Sequence, residues 1–399
     1  MPRSNGTQTR TFVYTGNDLT SATNPENGTV TYQYDGAHHV TKRTDAKGQE
    51  TRYTYDVYGR LTEVQHWAVS WDPGTLTYHM QEQTQQRVDY SYDNNPLNGS
   101  YSQNAWGRLT AVQFHDENTG GPFSYMYSYN QAGRVTAHHM DVDSGALGFD
   151  AAYTWDDQGR MTGINYGPQY TLTYDANGRL GGMSGSDLSM TASYGVAGEM
   201  LGVNYHGNAQ LDSYNETRTY NAMLQMTQVT VAGTTFTPYT QQTVMDMQYV
   251  YTGGANNGRI TRSIDGVSGE TVNYTYDAVN RLATAGATNG TWGQGFTYDG
   301  FGNLTGKTVT AGSAPTMSAS FAWATNWQIG GTYDANGNPS GGFLQYDVEN
   351  RMMMGAGGET YVYDQAGKRV KKAVGNAWEF YFYGIGGAEA GDAAVREWS

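Results

Sequence analysis

The stretch Tyr-Asp-Val-Tyr-Gly-Arg-Leu at residues 55–61 decides the fold, because closely similar stretches recur along the 399-residue chain. Tyr-Asp-Ala-Asn-Gly-Arg-Leu occupies residues 174–180, and Trp-Asp-Asp-Gln-Gly-Arg-Met occupies residues 155–161. An active site would be singular, whereas a unit copied this often predicts a repeat architecture. Nine Tyr-Asp pairs occur, beginning at Tyr34, Tyr55, Tyr92, Tyr174, Tyr276, Tyr298, Tyr333, Tyr346 and Tyr363.

The residues before each Tyr-Asp pair alternate as they do in a β-strand. Aromatic residues stand two positions apart, as at Tyr53 and Tyr55 or at Tyr274 and Tyr276. Residues at i and i+2 of a strand share a face, so both rings of a pair point to the same side. Thr, Ser, Gln or Val usually lies between them, as is typical of the opposite face of a strand. No stretch shows a convincing helical periodicity.

The residues after the Tyr predict a tight turn. The Asp side chain can accept hydrogen bonds from backbone NH groups two residues further on. Gly usually follows the Tyr by four positions, and Asn replaces it at Asn280 and Asn350. Gly and Asn accept positive φ most readily, so this position is predicted to adopt the left-handed conformation that closes a β-hairpin. A polar residue, often Arg, then precedes the apolar residue that opens the return strand.

A row of such hairpins predicts an all-β fold, because a single hairpin cannot bury its own face. Neighbouring Tyr pairs are expected to stack as ladders across adjacent strands. The repeated Arg is expected either over a Tyr face as a cation–π partner or in solvent, where its charge limits pairing at sheet edges. The residues assigned to the structural repeat are Tyr55, Asp56, Gly59, Arg60, Trp155, Asp156, Gly159, Arg160, Tyr174, Asp175, Gly178, Arg179, Tyr276, Asp277, Asn280, Arg281, Tyr298, Asp299, Gly302, Tyr333, Asp334, Gly337, Tyr346, Asp347, Asn350, Arg351, Tyr363, Asp364 and Gly367.

Composition and charge narrow the class of protein. Repeats from about residue 14 to residue 383, without a linker-like break, predict one domain over residues 1–399. The chain has 53 Gly, 33 Tyr and only 15% charged residues, which favours a thin sheet-rich wall over an aliphatic core. A net charge of −14, from 23 basic and 37 acidic residues, argues against nucleic-acid binding. The sequence shows no apolar run suited to membrane insertion, no targeting signal and no Cys for disulfides.

These motifs resemble the YD-repeat, or RHS-repeat, family, and the likeness covers nearly the entire chain. Residues 44–51 resemble the family's inter-repeat segment, and residues 346–370 resemble the segment that leads into the RHS-associated core. The resemblance implies a β-hairpin array that spirals into a hollow shell or open-ended barrel, as in bacterial Rhs proteins, toxin-complex proteins and teneurins. It also implies a secreted or cell-surface location and an encapsulated polypeptide as partner.

One departure from the family pattern limits what the resemblance implies. Toxin-type members continue into a core whose paired aspartates cut off a C-terminal effector. This sequence ends at residues 396–399 with neither that core nor a toxin domain. The expectation is therefore a shell fragment or a short member, and neither self-cleavage nor toxicity is assigned to any residue.

Candidate residues for chemistry are few. On a strand, His139, Asp141 and Asp143 would share a face that could bind a divalent ion, but a solvated surface accounts for them more simply. The Asp-x-Asn-Gly turns at residues 175–178 and 334–337 resemble half a calcium loop and lack its further ligands. The sequence has no phosphate loop, nucleophile elbow or zinc-helix motif. We therefore predict no metal, no cofactor and no catalytic residue.

The leading functional hypothesis is a non-catalytic structural shell or scaffold that encapsulates or spaces other parts of a secreted or cell-surface system. The alternative is a module that binds carbohydrate or another cell-surface molecule through exposed aromatic residues. Trp67, Trp71, Trp323 and Trp327 lie outside the Tyr-Asp pairs and could form its platform. An enzyme on a β-propeller is disfavoured, because the repeat spacing is short and uneven.

Overall fold

The computed structural model describes residues 2–3, 6–72, 74, 76–207, 213–236, 239–254 and 256–385. The chain forms two compact modules: module 1 comprises Met1–Gly159 with Ala322–Ser399, and module 2 comprises Arg160–Phe321. Among the described residues, the one helical element is a 3-10 turn at Thr84–Gln86, and no helix is long and apolar enough to span a membrane. The segment at residues 396–399 lies outside the described part of the chain.

The strands follow one another at short intervals along both modules. The first part of module 1 contains β1 (Pro2–Arg3), β2 (Gly6–Thr7), β3 (Thr11–Thr15), β4 (Asp18–Asn24), β5 (Gly28–Tyr34), β6 (Val40–Thr44), β7 (Glu50–Tyr55), β8 (Leu61–Asp72), β9 (Thr77–Glu82), β10 (Val88–Tyr92), β11 (Leu109–His115), β12 (Pro122–Tyr129), β13 (Val135–Val142) and β14 (Leu147–Trp155). Module 2 contains β15 (Met161–Asn165), β16 (Gln169–Tyr174), β17 (Leu180–Gly185), β18 (Leu188–Tyr194), β19 (Met200–Gly207), β20 (Ser213–Tyr220), β21 (Met226–Phe236), β22 (Tyr239–Tyr251), β23 (Ile260–Asp265), β24 (Thr271–Tyr276), β25 (Leu282–Ala287), β26 (Trp292–Tyr298), β27 (Leu304–Gly312) and β28 (Met317–Ser318). Module 1 resumes with β29 (Gln345–Tyr346), β30 (Met352–Met354), β31 (Thr360–Tyr363), β32 (Arg369–Val374) and β33 (Ala377–Phe380).

Neighbouring strands within each module pair antiparallel, mostly with the strand that precedes or follows them in sequence. In module 1, β8 pairs with β7, β9 and β10, so the β8–β9 hairpin branches from the row. Strands β29 to β33 form a separate five-stranded sheet in module 1, which we call the terminal sheet. The all-β hairpin array predicted from the sequence is therefore confirmed.

A one-residue register shift marks the repeat Tyr. In the β16–β17 pair, Thr173 lies opposite Gly182, whereas Tyr174 lies opposite Leu180. The same shift occurs at Tyr276 and Tyr363. A β-bulge of this kind bends the strand and increases its twist. The five residues from Asp to Arg therefore form a hairpin loop that starts from a bulged strand end.

The terminal sheet packs through aromatic residues against β12 to β14. The ring centroids of Phe123 and Phe380 are 6.3 Å apart, and those of His138 and Phe382 are 4.9 Å apart. Phe123 also stacks on Phe114 at 5.3 Å. Phe123, Phe380 and Phe382 are all buried. This contact forms the principal apolar core of module 1.

Replacing Phe123 by Ala should lower the free energy of unfolding of module 1 by about 3–5 kcal/mol, because the buried ring leaves a cavity between two sheets. Phe12→Ala is the matched control, since Phe12 is 52% exposed and should cost well under 1 kcal/mol. Urea denaturation followed by tyrosine fluorescence measures both changes. Equal losses for the two variants would contradict this assignment of the core.

Candidate functional site: the repeat turn and a buried ionic cluster

The repeat turn is held by its Asp side chain, as the turn at residues 174–180 shows. The Oδ1 atom of Asp175 accepts the backbone NH groups of Asn177 and Arg179, each at 2.9 Å. The backbone NH of Gly178 donates to the carbonyl of Asp175 at 3.0 Å, and Gly178 has φ of +77°. The hydrogen bonds from the Arg179 backbone and side chain lower the pKa of Asp175. The carboxylate is therefore the charged acceptor around which the loop closes.

The second oxygen of the turn Asp binds the repeat Arg. The Nε atom of Arg179 donates to Oδ2 of Asp175 at 2.7 Å, and that of Arg281 donates to Oδ2 of Asp277 at 2.6 Å. An Arg held in this way has a fixed direction along the sheet. One carboxylate thus both closes the turn and orients the guanidinium.

The oriented Arg reaches the next repeat. The guanidinium of Arg179 lies 4.5 Å from the ring centroid of Tyr194, and its Nη1 donates to the carbonyl of Gly195 at 3.3 Å. Arg281 makes the same two contacts with the following repeat, 4.5 Å from the Tyr298 ring. Of the two positions expected for the Arg, the structure therefore shows the cation–π contact. We call the Tyr or Trp that begins each repeat turn the anchor residue. Its ring therefore packs against a guanidinium as well as against its neighbours in the sheet.

The hydroxyl of the anchor Tyr forms the second link between repeats, and sequence reasoning missed it. The Tyr194 hydroxyl donates to the carbonyl of Leu180 at 2.9 Å, and Leu180 opens the return strand of the preceding repeat. The indole of Trp155 makes the equivalent bond to Val135 at 2.8 Å. The other pairs, at 2.5 to 3.0 Å, are Tyr34–Leu19, Tyr55–Val40, Tyr129–Leu109, Tyr174–Met161, Tyr220–Met200, Tyr251–Met226, Tyr276–Ile260, Tyr298–Leu282, Tyr363–Met352 and Tyr383–Arg369.

Degenerate repeats keep this geometry with other residues. After Tyr34, His38 adopts φ of +67° and His39 stacks on Tyr55 at 4.7 Å, so two His occupy the Gly and Arg positions. Leu224 adopts φ of +58° at the Gly position of the repeat that begins at Tyr220. The fold therefore imposes the left-handed conformation even on a residue that disfavours it.

Other predicted repeat residues keep part of the pattern. Asp299 and Asp334 each accept two backbone NH groups from their own turns. Arg60 binds the carboxylate of Asp56 at 2.6 Å, and Arg160 lies 4.8 Å from the Tyr174 ring. The buried hydroxyl of Tyr346 has no hydrogen-bond partner, so this repeat lacks the Tyr link.

A buried ionic cluster in module 1 centres on the repeat Arg351. Its Nε atom donates to Asp347 at 2.5 Å, its Nη1 to the carbonyl of Asp364 at 3.0 Å and its Nη2 to Glu117 at 3.3 Å. Asp347 and Glu117 are both buried. The turn of the Tyr346 repeat thereby joins the loop that follows β11, which is 234 positions away in sequence.

Glu349, in the same turn, extends the cluster toward β6 to β8. Its carboxylate accepts hydrogen bonds from Thr51 at 2.8 Å and His66 at 3.1 Å, and Arg43 lies 3.0 Å away. Burial alone would raise the pKa of Glu349, but the hydrogen bond from His66 and the charge of Arg43 lower it to about 2. Burial and the charge of Asp347 raise the pKa of Glu117 to about 8. The raised pKa favours the neutral acid of Glu117, the form that avoids repulsion from Asp347.

Two of the three residues considered for metal binding, His139 and Asp141, contact protein groups. His139 contacts the carboxylate of Asp150 at 2.8 Å, and Asp141 accepts the backbone NH of Gly145 at 2.6 Å. In the part of the chain that the structure describes, no group of three or more His, Asp and Glu side chains is placed to hold a metal ion.

The four Trp residues considered as a binding platform divide into two pairs. Trp67 lies under Arg52 at 4.0 Å, and Trp327 stacks on Tyr333 at 5.0 Å. Trp71 and Trp323 are exposed. Among the residues that the structure describes, these four Trp rings therefore do not form a single cluster.

Replacing Tyr194 by Phe should lower the free energy of unfolding of module 2 by about 1 kcal/mol, because the Leu180 carbonyl loses its partner while the ring stays in place. Tyr58→Phe is the matched control, since Tyr58 is 73% exposed and its hydroxyl forms no described link between repeats. Chemical denaturation compares the two. A Tyr194→Phe variant as stable as the wild type would contradict the role of the hydroxyl.

Two substitutions at equivalent turn positions should change stability in opposite directions. Gly178→Val should cost about 1–2 kcal/mol, because a β-branched residue disfavours positive φ. Crowding should add little, since the added Cβ would meet only Nη1 of Arg160, at an ordinary contact distance of 3.8 Å. Leu224→Gly should raise the free energy of unfolding by a few tenths to about 1 kcal/mol. The backbone strain of positive φ at Leu224 is relieved, and this gain outweighs the extra backbone entropy that Gly loses on folding. Thermal melts of both variants give the comparison. Destabilisation by Leu224→Gly would show that its side chain matters more than its φ.

The ionic cluster predicts a bell-shaped dependence of module 1 stability on pH. The stabilisation from Glu349 is complete above the ordinary Glu pKa of 4.5 and is lost as pH falls toward about 2. The stabilisation from Glu117 is complete below 4.5 and is lost as pH rises through about 8. Calorimetric melts across this range test the prediction, and Glu117→Gln should remove the decline between pH 4.5 and about 8. An unchanged decline in that variant would exclude Glu117 as its source.

Comparison with known proteins supports the repeat interpretation. The family model described as RHS Repeat matches residues 14–50 and 37–68. No curated protein sequence matches the chain significantly. Among solved structures, the complex TcdB2-TccC3-TEV superposes with a TM-score of 0.69 at 15% identity, over 96% of this chain and 22% of that one.

Two further solved structures show the same fold. TcdB2-TccC3-Cdc42 has a TM-score of 0.66 at 15% identity, over 95% of this chain and 20% of that one. A Tc holotoxin pore from Photorhabdus luminescens, which carries a TccC3 mutation, has a TM-score of 0.63 at 14% identity, over 93% of this chain and 19% of that one. The chain thus spans about a fifth of the length of these proteins. The RHS Repeat model thus covers residues 14–68, and the solved structures share the fold of the chain, which together support an RHS-repeat, or YD-repeat, protein.

Proposed function

We propose that this RHS-repeat chain is a non-catalytic structural scaffold, and that it encloses or spaces another polypeptide within a secreted or cell-surface RHS-type system. The observation that carries the proposal is the set of contacts that the repeated Asp, Arg and Tyr residues make. The Asp closes the turn, while the Arg and the Tyr hydroxyl bind the neighbouring repeat. The residues of the most frequent motif in the sequence therefore stabilise the sheet.

The fold neighbours support a polypeptide as the partner. They are toxin-complex proteins described as TcdB2 and TccC3, in one case together with Cdc42. In this proposal residues 1–399 act as one repeat domain, and the residues of the repeat turns have a structural role throughout. The secreted or cell-surface location is part of the proposal and is supported only by the resemblance to RHS and Tc toxin proteins.

Small-angle X-ray scattering on the full chain tests the proposal. A compact globular protein of 399 residues would have a radius of gyration of about 21 Å. A scaffold that encloses or spans space should give a clearly larger value and a pair-distance distribution typical of a hollow or elongated body. A globular protein of the same length serves as the reference. A dense, spherical profile near 21 Å would contradict the proposal.

A second candidate function, recognition of a cell-surface glycan, is favoured by one pair of exposed rings. On the β8–β9 hairpin, Trp71 is 48% exposed and Tyr78 is 70% exposed, with ring centroids 5.2 Å apart. Exposed aromatic faces of this kind can stack on sugar rings. Trp71→Ala should abolish any signal on a glycan array while Trp67→Ala, at the ring covered by Arg52, should keep it. Absence of any signal from the wild type would dismiss this candidate.

A further inference from the structure

A pocket of about 340 Å³ lies in module 1 against β11, β12 and β13. Phe114 and Phe123 of these strands point to the buried aromatic core, so the residues that alternate with them point to the other side of the sheet and face the pocket. Leu97 and Asn98, from the loop that follows β10, form the opposite wall. The volume lies within the range of about 300–1,000 Å³ that is usual for small-ligand pockets.

Three polar residues stand side by side across the floor of this pocket. Gln113 of β11 lies opposite Ser124 of β12, and Ser124 lies opposite Asp141 of β13. Side chains directly opposite each other on antiparallel strands have Cβ atoms about 4.5–5.5 Å apart, so these three form one continuous row, which we call the polar row. The next position, Gly148 of β14, adds no side chain. The row therefore ends at the carboxylate.

The polar row has hydrogen-bonding groups without described partners. Ser124 is 7% exposed, yet its hydroxyl forms no described hydrogen bond. The amide of Gln113 forms none either. Asp141 uses Oδ1 to accept the NH of Gly145 at 2.6 Å, and its Oδ2 has no described partner. Buried polar groups are nearly always hydrogen-bonded, so a buried hydroxyl between an amide and a carboxylate oxygen points to a partner from outside the chain.

The opposite wall of the pocket is braced by Asn95, which is 6% exposed. Its Oδ1 accepts the NH groups of Leu97 at 2.9 Å and Asn98 at 3.1 Å, and its Nδ2 donates to the hydroxyl of Ser102 at 3.0 Å. Ser102 donates in turn to the carbonyl of Tyr127 on β12 at 2.7 Å. These bonds tie the loop to the sheet, so the pocket is formed before a ligand enters.

Charge selects among the ligands that this pocket could take. Asp141 is the one charged residue among the described lining residues. Because its half-buried carboxylate has no counter-ion, a ligand cation is favoured and a ligand anion is opposed. Leu97 and Met126 add apolar surface to the walls. A cation carried on a hydrocarbon stem fits both features.

A guanidinium matches the polar row better than an ammonium does. Its five N–H donors lie in one plane and can reach acceptors on neighbouring strands, whereas an ammonium carries three donors on a single atom. We propose that this pocket binds an arginine side chain of a partner polypeptide, with the guanidinium on the polar row and the stem against Leu97 and Met126. That a polypeptide supplies the arginine rests on the proposed function, whereas the chemistry of the pocket does not.

Titration of the full chain with blocked amino acids tests the proposal. The probes are Nα-acetyl-arginine N-methylamide, the corresponding lysine and citrulline compounds, and methylguanidinium, at millimolar concentrations. Calorimetry and NMR chemical shifts measure binding. Asp141→Asn removes the charge while it keeps an oxygen for the NH of Gly145. Asp150→Asn is the matched control, because it removes the same charge from a side chain of β14 that is 77% exposed.

The arginine compound should bind about tenfold or more weakly to Asp141→Asn than to the wild type, and equally well to Asp150→Asn. Ser124→Ala, which removes only a hydroxyl, should weaken binding about threefold or more. The lysine compound lacks the planar donors and the citrulline compound lacks the charge, so both should bind about tenfold or more weakly. Methylguanidinium should also bind more weakly, because it has no stem. Wild-type melting temperatures for the variants show that a loss of binding is not a loss of folding.

Four outcomes would overturn the proposal. No binding of the arginine compound would mean that the pocket holds water only. Equal binding by Asp141→Asn or of the citrulline compound would exclude charge as the basis of recognition. Equal binding of the lysine compound would exclude selection of a guanidinium, and equal binding of methylguanidinium would exclude an arginine stem. None of these outcomes affects the proposed scaffold role, which X-ray scattering tests independently of this pocket.

Discussion

Each module depends first on the hydrogen bond from an anchor hydroxyl to the carbonyl that opens the preceding return strand. The bond between Tyr276 and Ile260, at 2.8 Å, is one example. An isolated two-stranded hairpin is marginally stable in water, so each repeat needs its neighbours. The Arg held by its turn Asp adds a second contact in the opposite direction along the chain. Stability then consists largely of nearest-neighbour terms, as in other repeat proteins.

Both modules contain these links between repeats, but module 1 also buries large aromatic side chains. Module 1 adds a second sheet whose Phe rings are buried, together with the ionic cluster around Arg351. The buried side chains described in module 2 are mostly small, such as Val203, Val229 and Ala285. A thin sheet of this kind depends more strongly on the Tyr and Arg links. Substitutions in module 2 therefore measure how much the Tyr and Arg links contribute to stability, with little contribution from a buried core.

Much of the repeat could be predicted from the sequence, because its geometry is local. Alternating Tyr predicted the strands, and Gly178 and Asn280 predicted the positive φ that both adopt. The acceptor of the Tyr hydroxyl could not be predicted, because a backbone carbonyl has no side-chain signature. The contact between Arg351 and Glu117 spans 234 positions, and nothing in a single sequence pairs residues so far apart.

Hydrogen exchange on a Tyr276→Phe variant tests most directly whether repeats are tied to their neighbours through the anchor hydroxyl. The ring and its contact with Arg259 remain, so the variant removes the link to Ile260 alone. We predict faster backbone exchange confined to the strands on either side, β23 and β24, with distant strands of module 2 unchanged. Exchange that is unchanged everywhere, or that increases uniformly across module 2, would contradict a fold built from nearest-neighbour links.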